Sequence, residues 1–236
     1  MSGEEFYVGY LPKAPPGLAG TVRRTALSLM ALAAVLAVAL VLAQMPFPAS
    51  TFEFHSYKDF EGVVREHPYP SVSDYLLVAP GKHGAAELVR GLDARTVRFK
   101  GSLIYRDGAR MIEALPATMQ ASAAPPVPAT PPVELGAHTL AGEIVDSKCY
   151  LGVMNPGSGK VHRDCAARCI SGGIPPAFVV KDASGVSKTL VLSGFGRQAL
   201  DYVAEPVRMS GRLLRSDSML IFEADPASIR RLSSRE

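Results

Sequence analysis

The 236-residue chain lacks several features that would indicate a common activity. Its formal net charge is only +3 and its Lys and Arg residues are scattered, so nothing predicts a nucleic-acid partner. It has no Cys-x-x-Cys pair, the usual signature of thiol–disulfide exchange. It also has no Ser/His/Asp set and no paired carboxylates. The sequence therefore leaves enzymatic activity open and favours a protein that is not an enzyme.

Two further absences concern nucleotide loops and scattered histidines. The segment Gly81-Lys82-His83-Gly84 lacks the glycine spacing and the following hydroxyl residue of a phosphate loop, so we interpret it as a turn. Four of the five histidines show no ligand spacing and are interpreted as surface or turn residues: His55, His67, His83 and His138.

One long apolar run is present near the N-terminus. Residues 25–45 carry no charge and are long enough to cross a hydrocarbon core of about 30 Å as a helix. Arg23 and Arg24 precede the run, and no basic residue follows until Lys58. The positive-inside bias therefore predicts a single-pass inner (cytoplasmic) membrane protein, with residues 1–24 in the cytoplasm and the bulk periplasmic or otherwise extracytoplasmic.

A cleaved signal peptide is the alternative interpretation of this run. Val41-Leu42-Ala43 has the small residues that a signal peptidase requires, but the apolar stretch exceeds the usual length of about 7 to 15 residues. We therefore favour an uncleaved transmembrane helix at 25–45. Phe6, Tyr7 and Tyr10 before it are expected either at the membrane surface or against a neighbouring membrane subunit.

The remainder contains two related segments. Residues 116–137 are rich in Pro and Ala, which predicts an extended linker between segments 50–115 and 138–233. Residues 97–114 and 207–224 align without a gap and are identical at seven of 18 positions, which indicates an internal duplication. Upstream, we align residues 60–64 with 140–144, and residues 75–78 with 177–180.

Each segment is predicted to form short strands with one helix-capable stretch, at 85–92 and at 196–204. Five strands with one helix between the third and fourth are typical of a small Greek-key barrel of the oligonucleotide/oligosaccharide-binding (OB) type. Gly101 and Gly211 are expected to mark a bulge or bend. The predicted fold is mainly β: one N-terminal transmembrane helix followed by two tandem OB-like barrels related by duplication.

The cysteines are confined to an insertion in the second segment, residues 146–173. Cys149, Cys165 and Cys169 lie there with His162, between the first two predicted strands, where the first segment has only residues 66–70. Because the first segment contains no cysteine, the barrel itself does not require one. The insertion is therefore either a cross-linked loop or a functional site.

Three chemistries fit this insertion. Cys149 could form a disulfide with Cys165 or Cys169, which an extracytoplasmic location favours. Cys149, His162, Cys165 and Cys169 could instead bind one tetrahedral metal ion, as in structural zinc sites. The remaining cysteine and His162 could also form a thiolate and its base, or a soft site for copper or haem iron.

The metal hypothesis sets a condition on the local structure. On a helix over residues 161–170, His162, Cys165 and Cys169 share one face. However, His162 and Cys169 would then be about 10.5 Å apart along the axis, near the limit for ligands of one ion. The hypothesis therefore requires the helix to begin after His162 or to be irregular there.

A resemblance rests on the same residues. Asp146-Ser147-x-Cys149, followed by His162-x-x-Cys165-x-x-x-Cys169, a glycine pair and a glycine-containing last hairpin, resembles a group of small exported bacterial proteins of unknown function. The likeness covers about residues 139–225. It implies a small β-barrel and a shared Cys/His constellation, and it implies no particular reaction.

From these features we expect a membrane-anchored accessory or assembly subunit of a membrane complex that handles electrons or metals. Its partners would be the lipid bilayer, through residues 25–45, and the other proteins of that complex. The alternative is a disulfide-stapled interaction module with no metal and no catalysis.

Overall fold

A computed structural model describes residues 15–44, 50–182, 184–195 and 197–232. The chain divides into two compact units, Met1–Pro48 and Ala49–Glu236. The predicted cytoplasmic segment lies outside the described residues up to residue 14, and this part includes Phe6, Tyr7 and Tyr10.

The described residues of the first unit, 15–44, form the helix α1 at Pro16–Gln44. Proline is well tolerated in the first turn of a helix, because its missing N–H would have no partner there. Residues 16–43 are long and apolar enough to cross a membrane, and none of them is buried inside the protein. The predicted apolar helix is confirmed. Its properties suit membrane insertion and are also those of a signal sequence.

The second unit is mainly β, as predicted. Its strands are β1 Ser50–Phe52, β2 Lys58–Arg65, β3 Ser71–Val72, β4 Tyr75–Val78, β5 Thr96–Arg106, β6 Ala109–Ala114, β7 Gln120–Ala121, β8 Val133–Asp146, β9 Pro176–Lys181, β10 Ser187–Ser193, β11 Pro206–Ser216, β12 Met219–Ala224 and β13 Arg230–Arg231. Two α-helices accompany them, α2 Ala86–Val89 and α3 Arg163–Ser171.

The later strands close into a five-stranded barrel. The pairing order is β12-β10-β9-β8-β11, and β11 also pairs with β12, which completes the ring. All these pairs are antiparallel except β10 with β12. Phe178 and Phe222 are fully buried inside and stack with ring centroids 5.9 Å apart. Closure leaves no free edge among these five strands.

The earlier strands pair in the same order and register. β5 pairs with both β2 and β6, β4 runs parallel to β6, and β3 joins β2 to β4. Gly62 faces Val97 across β2 and β5, and Gly142 faces Val207 across β8 and β11. These are the residues that the sequence alignment placed in equivalent positions.

One part of the alignment is wrong. Residues 75–78 form β4, which runs parallel to the last strand of its sheet, β6. The strand in the equivalent position is β10, because β10 runs parallel to β12. Residues 177–180 belong to β9 instead, whose counterpart is the two-residue β3. A strand of two residues gives no apolar pattern in the sequence, so the alignment paired β9 with β4 instead of with β3.

The prediction of a bulge or bend at Gly101 and Gly211 is wrong as regards a bulge. The pairing of both glycines with their neighbouring strands is continuous, and the shift in β11 lies between Arg212 and Leu214. A Cβ at Gly101 or Gly211 would overlap a carbonyl oxygen of the adjacent strand. Glycine therefore allows close approach of the chains where the sheet closes.

Ordered structure extends into the predicted linker 116–137. Residues 116–118 form a 3₁₀ turn, β7 pairs with β5, and β8 already begins at Val133. Arg65 donates to the carbonyl oxygens of Val127 and Pro128 at 2.8 and 2.9 Å. Composition alone could not predict these contacts, because they depend on partners far away in the sequence.

The insertion packs between the two sheets instead of projecting into solvent. It lies between β8 and β9, as predicted, at residues 147–175. A single buried cluster unites side chains from both sheets with side chains of the insertion: Leu76, Val78, Ile104, Met111, Val145, Cys149, Tyr150, Leu151, Cys169, Ile174, Ala177, Val191 and Ile221. The insertion is thus part of a core that both sheets share.

Lys148 fixes the insertion to the first sheet. Its buried ammonium donates to the carbonyl oxygens of Ala79 and Gly81 at 2.9 and 2.6 Å. The same group lies 2.5 Å from a carboxylate oxygen of Glu113. A buried ammonium with three acceptors has its charge and all its protons satisfied.

We expect Lys148→Met to lower the free energy of unfolding by about 3 to 5 kcal/mol, because Glu113 and two carbonyl groups would lose their partner in the core. Chemical denaturation followed by circular dichroism measures this loss. Lys181→Met, at an exposed lysine of β9, is the matched control and should change stability by less than about 0.5 kcal/mol. Equal stability of the two variants would contradict the assignment of Lys148.

Candidate thiol and metal site

The Asp146-Ser147 pair closes the base of the insertion. A carboxylate oxygen of Asp146 accepts the backbone N–H of Cys149 at 2.8 Å. The Ser147 hydroxyl donates to the carbonyl oxygen of Pro175 at 2.7 Å. The two ends of the insertion are therefore tied together at the barrel, and the chain turns so that Cys149 faces inward.

Helix α3 presents the other two cysteines. It begins at Arg163, directly after a 3₁₀ turn at Lys160–His162, so the condition that the sequence set for His162 is met. Cys165 and Cys169 are four residues apart, so they lie on one face of the helix. The helix ends at Ser171, and the N–H of the capping residue Gly172 donates to the carbonyl oxygen of Arg168 at 2.9 Å.

The three sulfur atoms converge. The sulfur atoms of Cys149, Cys165 and Cys169 all lie within 4.8 Å of one another. Cys149 and Cys169 are 4% and 2% exposed, whereas Cys165 is half-buried. All three are free thiols, so the structure contains neither of the two predicted disulfides, although it brings their sulfur atoms close together. The cluster opens to solvent on the Cys165 side.

His162 belongs to a second group that shares Cys149 with the first. Its Nε2–H donates to a carboxylate oxygen of Asp146 at 2.9 Å, and both side chains are buried. Ligand atoms of Asp146, Cys149 and His162 lie within 4.8 Å of one another. The structure thus brings the three predicted thiols together and places His162 in a separate group with Asp146, which shares only Cys149 with the thiols.

Lys82, which the sequence did not identify, completes the thiol cluster. Its Nζ donates to the sulfur of Cys165 at 2.9 Å and lies 3.7 Å from that of Cys169. Residues 81–84 form the predicted turn, with Gly81 at φ 71°, and this turn belongs to the first sheet. Nothing in the sequence connects Lys82 with cysteines more than 80 positions later.

Two glycines bring this turn onto the end of α3. The N–H of Gly84 donates to the carbonyl oxygen of Gly172 at 2.9 Å. A Cβ at Gly172 would overlap the carbonyl oxygen of Lys82, and one at Gly84 would overlap that of Gly173. The chains therefore approach at a distance that only glycine permits, and this approach places the Lys82 ammonium over the thiols.

The electrostatic environment shifts the pKa values of the two buried thiols in opposite directions. A hydrogen bond from the Cys149 thiol, assisted by the Lys82 ammonium, lowers the pKa of Cys169 to about 7. The same hydrogen bond, together with burial and the nearby Asp146 carboxylate, raises the pKa of Cys149 well above its usual range. The hydrogen bond to Cys165 raises the pKa of Lys82. At pH values above about 7 the pair therefore holds a thiolate at Cys169 and a thiol at Cys149.

This arrangement suits a thiophilic metal ion. Two thiolates bound at about 2.3 Å in a tetrahedral site lie about 3.8 Å apart, which is within the observed spread of the three sulfur atoms. Thiolates are the ligands that zinc and copper(I) prefer. The cluster can supply three of them, and its half-exposed edge leaves a path for the ion.

Comparisons with known protein families, with curated proteins and with solved structures give no match. The resemblance to small exported proteins therefore has no support from a family match. The evidence for the barrel and for the adjacent Cys/Asp/His cluster is the structure itself.

In the metal-free, reduced protein, we expect one thiolate to appear with a midpoint near pH 7, since Cys169 has a pKa of about 7. Thiolate absorbance at 240 nm against pH measures it, and Cys169→Ser should remove this step. Lys82→Met should move the midpoint upward. A single midpoint near pH 9 for all three thiols would contradict the assignment.

The same shifts predict how stability depends on pH. Because the folded pKa of Cys169 is below its unfolded value, its contribution to stability is present above about pH 9 and is lost as pH falls through about 7. The raised pKa of Cys149 acts oppositely, since its contribution is lost as pH rises above its unfolded value. The free energy of unfolding should therefore rise from pH 7 towards pH 9, and Cys169→Ser should remove that rise.

Proposed function

We propose that this protein is a membrane-anchored extracytoplasmic accessory or assembly subunit of a membrane complex, and that it holds a thiophilic metal ion between Cys149, Cys165 and Cys169. The convergence of three free thiols inside a shared core is the observation that carries the proposal. The proposed role in the complex is the handling of metal or electrons.

Zinc and copper(I) suit this site better than haem iron. Three sulfur atoms that lie within 4.8 Å of one another have the spacing of ligands around one small ion. A haem would need a wide flat slot for the porphyrin, whereas these thiols are packed among aliphatic side chains. The half-exposed Cys165 would be the first ligand to meet an arriving ion and the last to release it.

A handling role agrees with the surroundings of the thiols better than catalysis does. Asp146 is committed to His162 and to the backbone of Cys149, and Lys82 is bonded to sulfur. These groups hold and tune the thiols. An apolar helix before the second unit could keep such a site at a membrane surface.

We further propose that both sheets are OB-type barrels that arose by duplication. The matching registers around Gly62 and Gly142 support this proposal, as do the 3₁₀ turns at Pro116–Thr118 and Pro226–Ser228, which occupy equivalent positions after the last hairpin of each sheet. One barrel would then have kept its short loop, and the other would have gained the thiol-bearing insertion.

The competing function is an interaction module with a disulfide-stapled loop. It gains support from the position of the insertion, which fills the space between the sheets. Oxidation of two of the clustered thiols would form a disulfide that cross-links the insertion in this position. Thiol counts and metal content separate the two functions.

We expect the reduced full-length chain in detergent micelles to bind zinc or copper(I) with three titratable thiols, and to lose that binding in Cys149→Ser, Cys165→Ser and Cys169→Ser. Each substitution removes one of three converging ligands. Equilibrium competition with a chromophoric chelator measures the affinity, and denatured thiol counts are taken on the same sample.

Arg168→Ala, at an exposed residue of α3 between the two helical cysteines, is the matched control and should bind metal as the wild type does. One free thiol and no metal in protein purified without reductant, with no binding after reduction, would sink the metal function. That result would favour the stapled module.

We also expect deletion of residues 16–44 to release the chain from the membrane fraction, because α1 is the apolar segment that could insert. The N-terminal mass of the purified mature protein decides between an anchor and a signal sequence. A mature N-terminus near residue 44 would contradict the uncleaved anchor, and an intact α1 would support it.

A further inference from the structure

Cys149 takes part in two groups of potential metal ligands. The first consists of Cys149, Cys165 and Cys169, and the second of Asp146, Cys149 and His162. In each group the ligand atoms lie within 4.8 Å of one another. The proposed function assigns a metal ion to the first group, and it assigns no ligand role to Asp146 or His162.

The second group is the more deeply buried. Asp146 is 0% exposed, His162 3% and Cys149 4%. A buried carboxylate is costly unless a positive charge or several donors compensate it. Asp146 receives the N–H of Cys149 and the Nε2–H of His162.

The two nearby lysine side chains bond to groups other than Asp146. Lys82 lies on the sulfur atoms of Cys165 and Cys169, at the exposed side of the cluster. The ammonium of Lys148 is close in sequence but is bound to Glu113 and to carbonyl groups of the first sheet. The Lys82 ammonium therefore serves the thiols of Cys165 and Cys169, and neither of these two lysines bonds to Asp146.

The distances in the second group suit a bound ion. The Nε2 of His162 and the carboxylate oxygen of Asp146 are 2.9 Å apart. Two ligand atoms bonded at about 2.0 Å lie about 2.8 to 3.3 Å apart for bond angles between about 90 and 110°. The separation of these two atoms is therefore compatible with their binding one ion together.

We propose that the cluster is a dinuclear site, in which the Cys149 thiolate bridges one ion held by Cys165 and Cys169 and a second ion held by Asp146 and His162. This inference rests on the proposed function, because it adds a second position to the same metal site. The ligand class is a divalent borderline-soft cation such as zinc, since carboxylate, imidazole and thiolate together suit zinc and not copper(I).

Binding at the second position involves no oxidation or reduction. The incoming cation takes the Nε2 position of His162, whose proton moves to Nδ1 when the imidazole is neutral and leaves to solvent when it is charged. The Cys149 thiol has already lost its proton on binding the first ion, so its thiolate becomes the bridge without a further proton loss. His162 and Asp146 thus act as ligands in this proposal and not only as a brace for Cys149.

The test is the number of ions bound by the reduced full-length chain in detergent micelles. Zinc content after gel filtration, with cobalt(II) as a spectroscopic substitute, gives the stoichiometry. Two equivalents per chain support the dinuclear site. One equivalent overturns it and leaves the three-thiol site intact, while zero equivalents overturn the proposed function together with this inference.

A substitution at His162 tests the assignment of the second ion. His162→Gln should lower the stoichiometry from two to one and retain the sulfur-to-cobalt charge-transfer absorption of the three-thiol position. His138→Gln, at an exposed histidine of β8, is the matched control and should bind two ions. Unchanged stoichiometry in His162→Gln would overturn the proposal.

The cobalt spectrum also separates the proposal from a single Cys₃His site. One ion bound by three sulfur atoms and one nitrogen atom would give one equivalent in the wild type, with a spectrum that changes in His162→Gln. That result would overturn the dinuclear site. The wild-type stoichiometry decides the question even where a variant does not fold.

Discussion

The contacts of the buried Lys148 ammonium with the first sheet are the interaction on which the rest of the site depends. Lys148 comes directly before Cys149, so its bonds to Ala79, Gly81 and Glu113 fix the insertion against the other sheet. The same bonds hold the turn that carries Lys82. The thiol cluster is therefore completed by a turn of the first sheet, although all its sulfur atoms come from the insertion.

Within the cluster, different neighbouring groups give the cysteine side chains different protonation states. Cys149 lies against the Asp146 carboxylate and keeps its proton, whereas Cys169 accepts a hydrogen bond, faces Lys82 and loses its proton near pH 7. Cys165 is the accessible sulfur and holds the lysine. Three identical side chains thus differ in protonation and in exposure.

The sequence predicted the strands, the position of the insertion and the clustering of its cysteines, because each leaves a local pattern: alternation, excess length or helical spacing. It failed where the pattern was too short or the partner too distant. β3 has only two residues, which misplaced β4 and β9 in the alignment. Lys82 and the contacts of residues 116–128 depend on tertiary packing, and the Asp146–His162 bond joins residues that only the fold of the insertion brings together.

The shared core between the sheets has a consequence for the order of folding. Lys82 and Cys165 are 83 positions apart, and β8 must pair with β9 and β11 before the insertion has a barrel to rest on. Contacts of such long range form late, because the chain must first lose the entropy of the intervening loop. The thiols are therefore enclosed only after nearly the whole chain has been synthesised, and until then they are accessible to oxidants and metal ions.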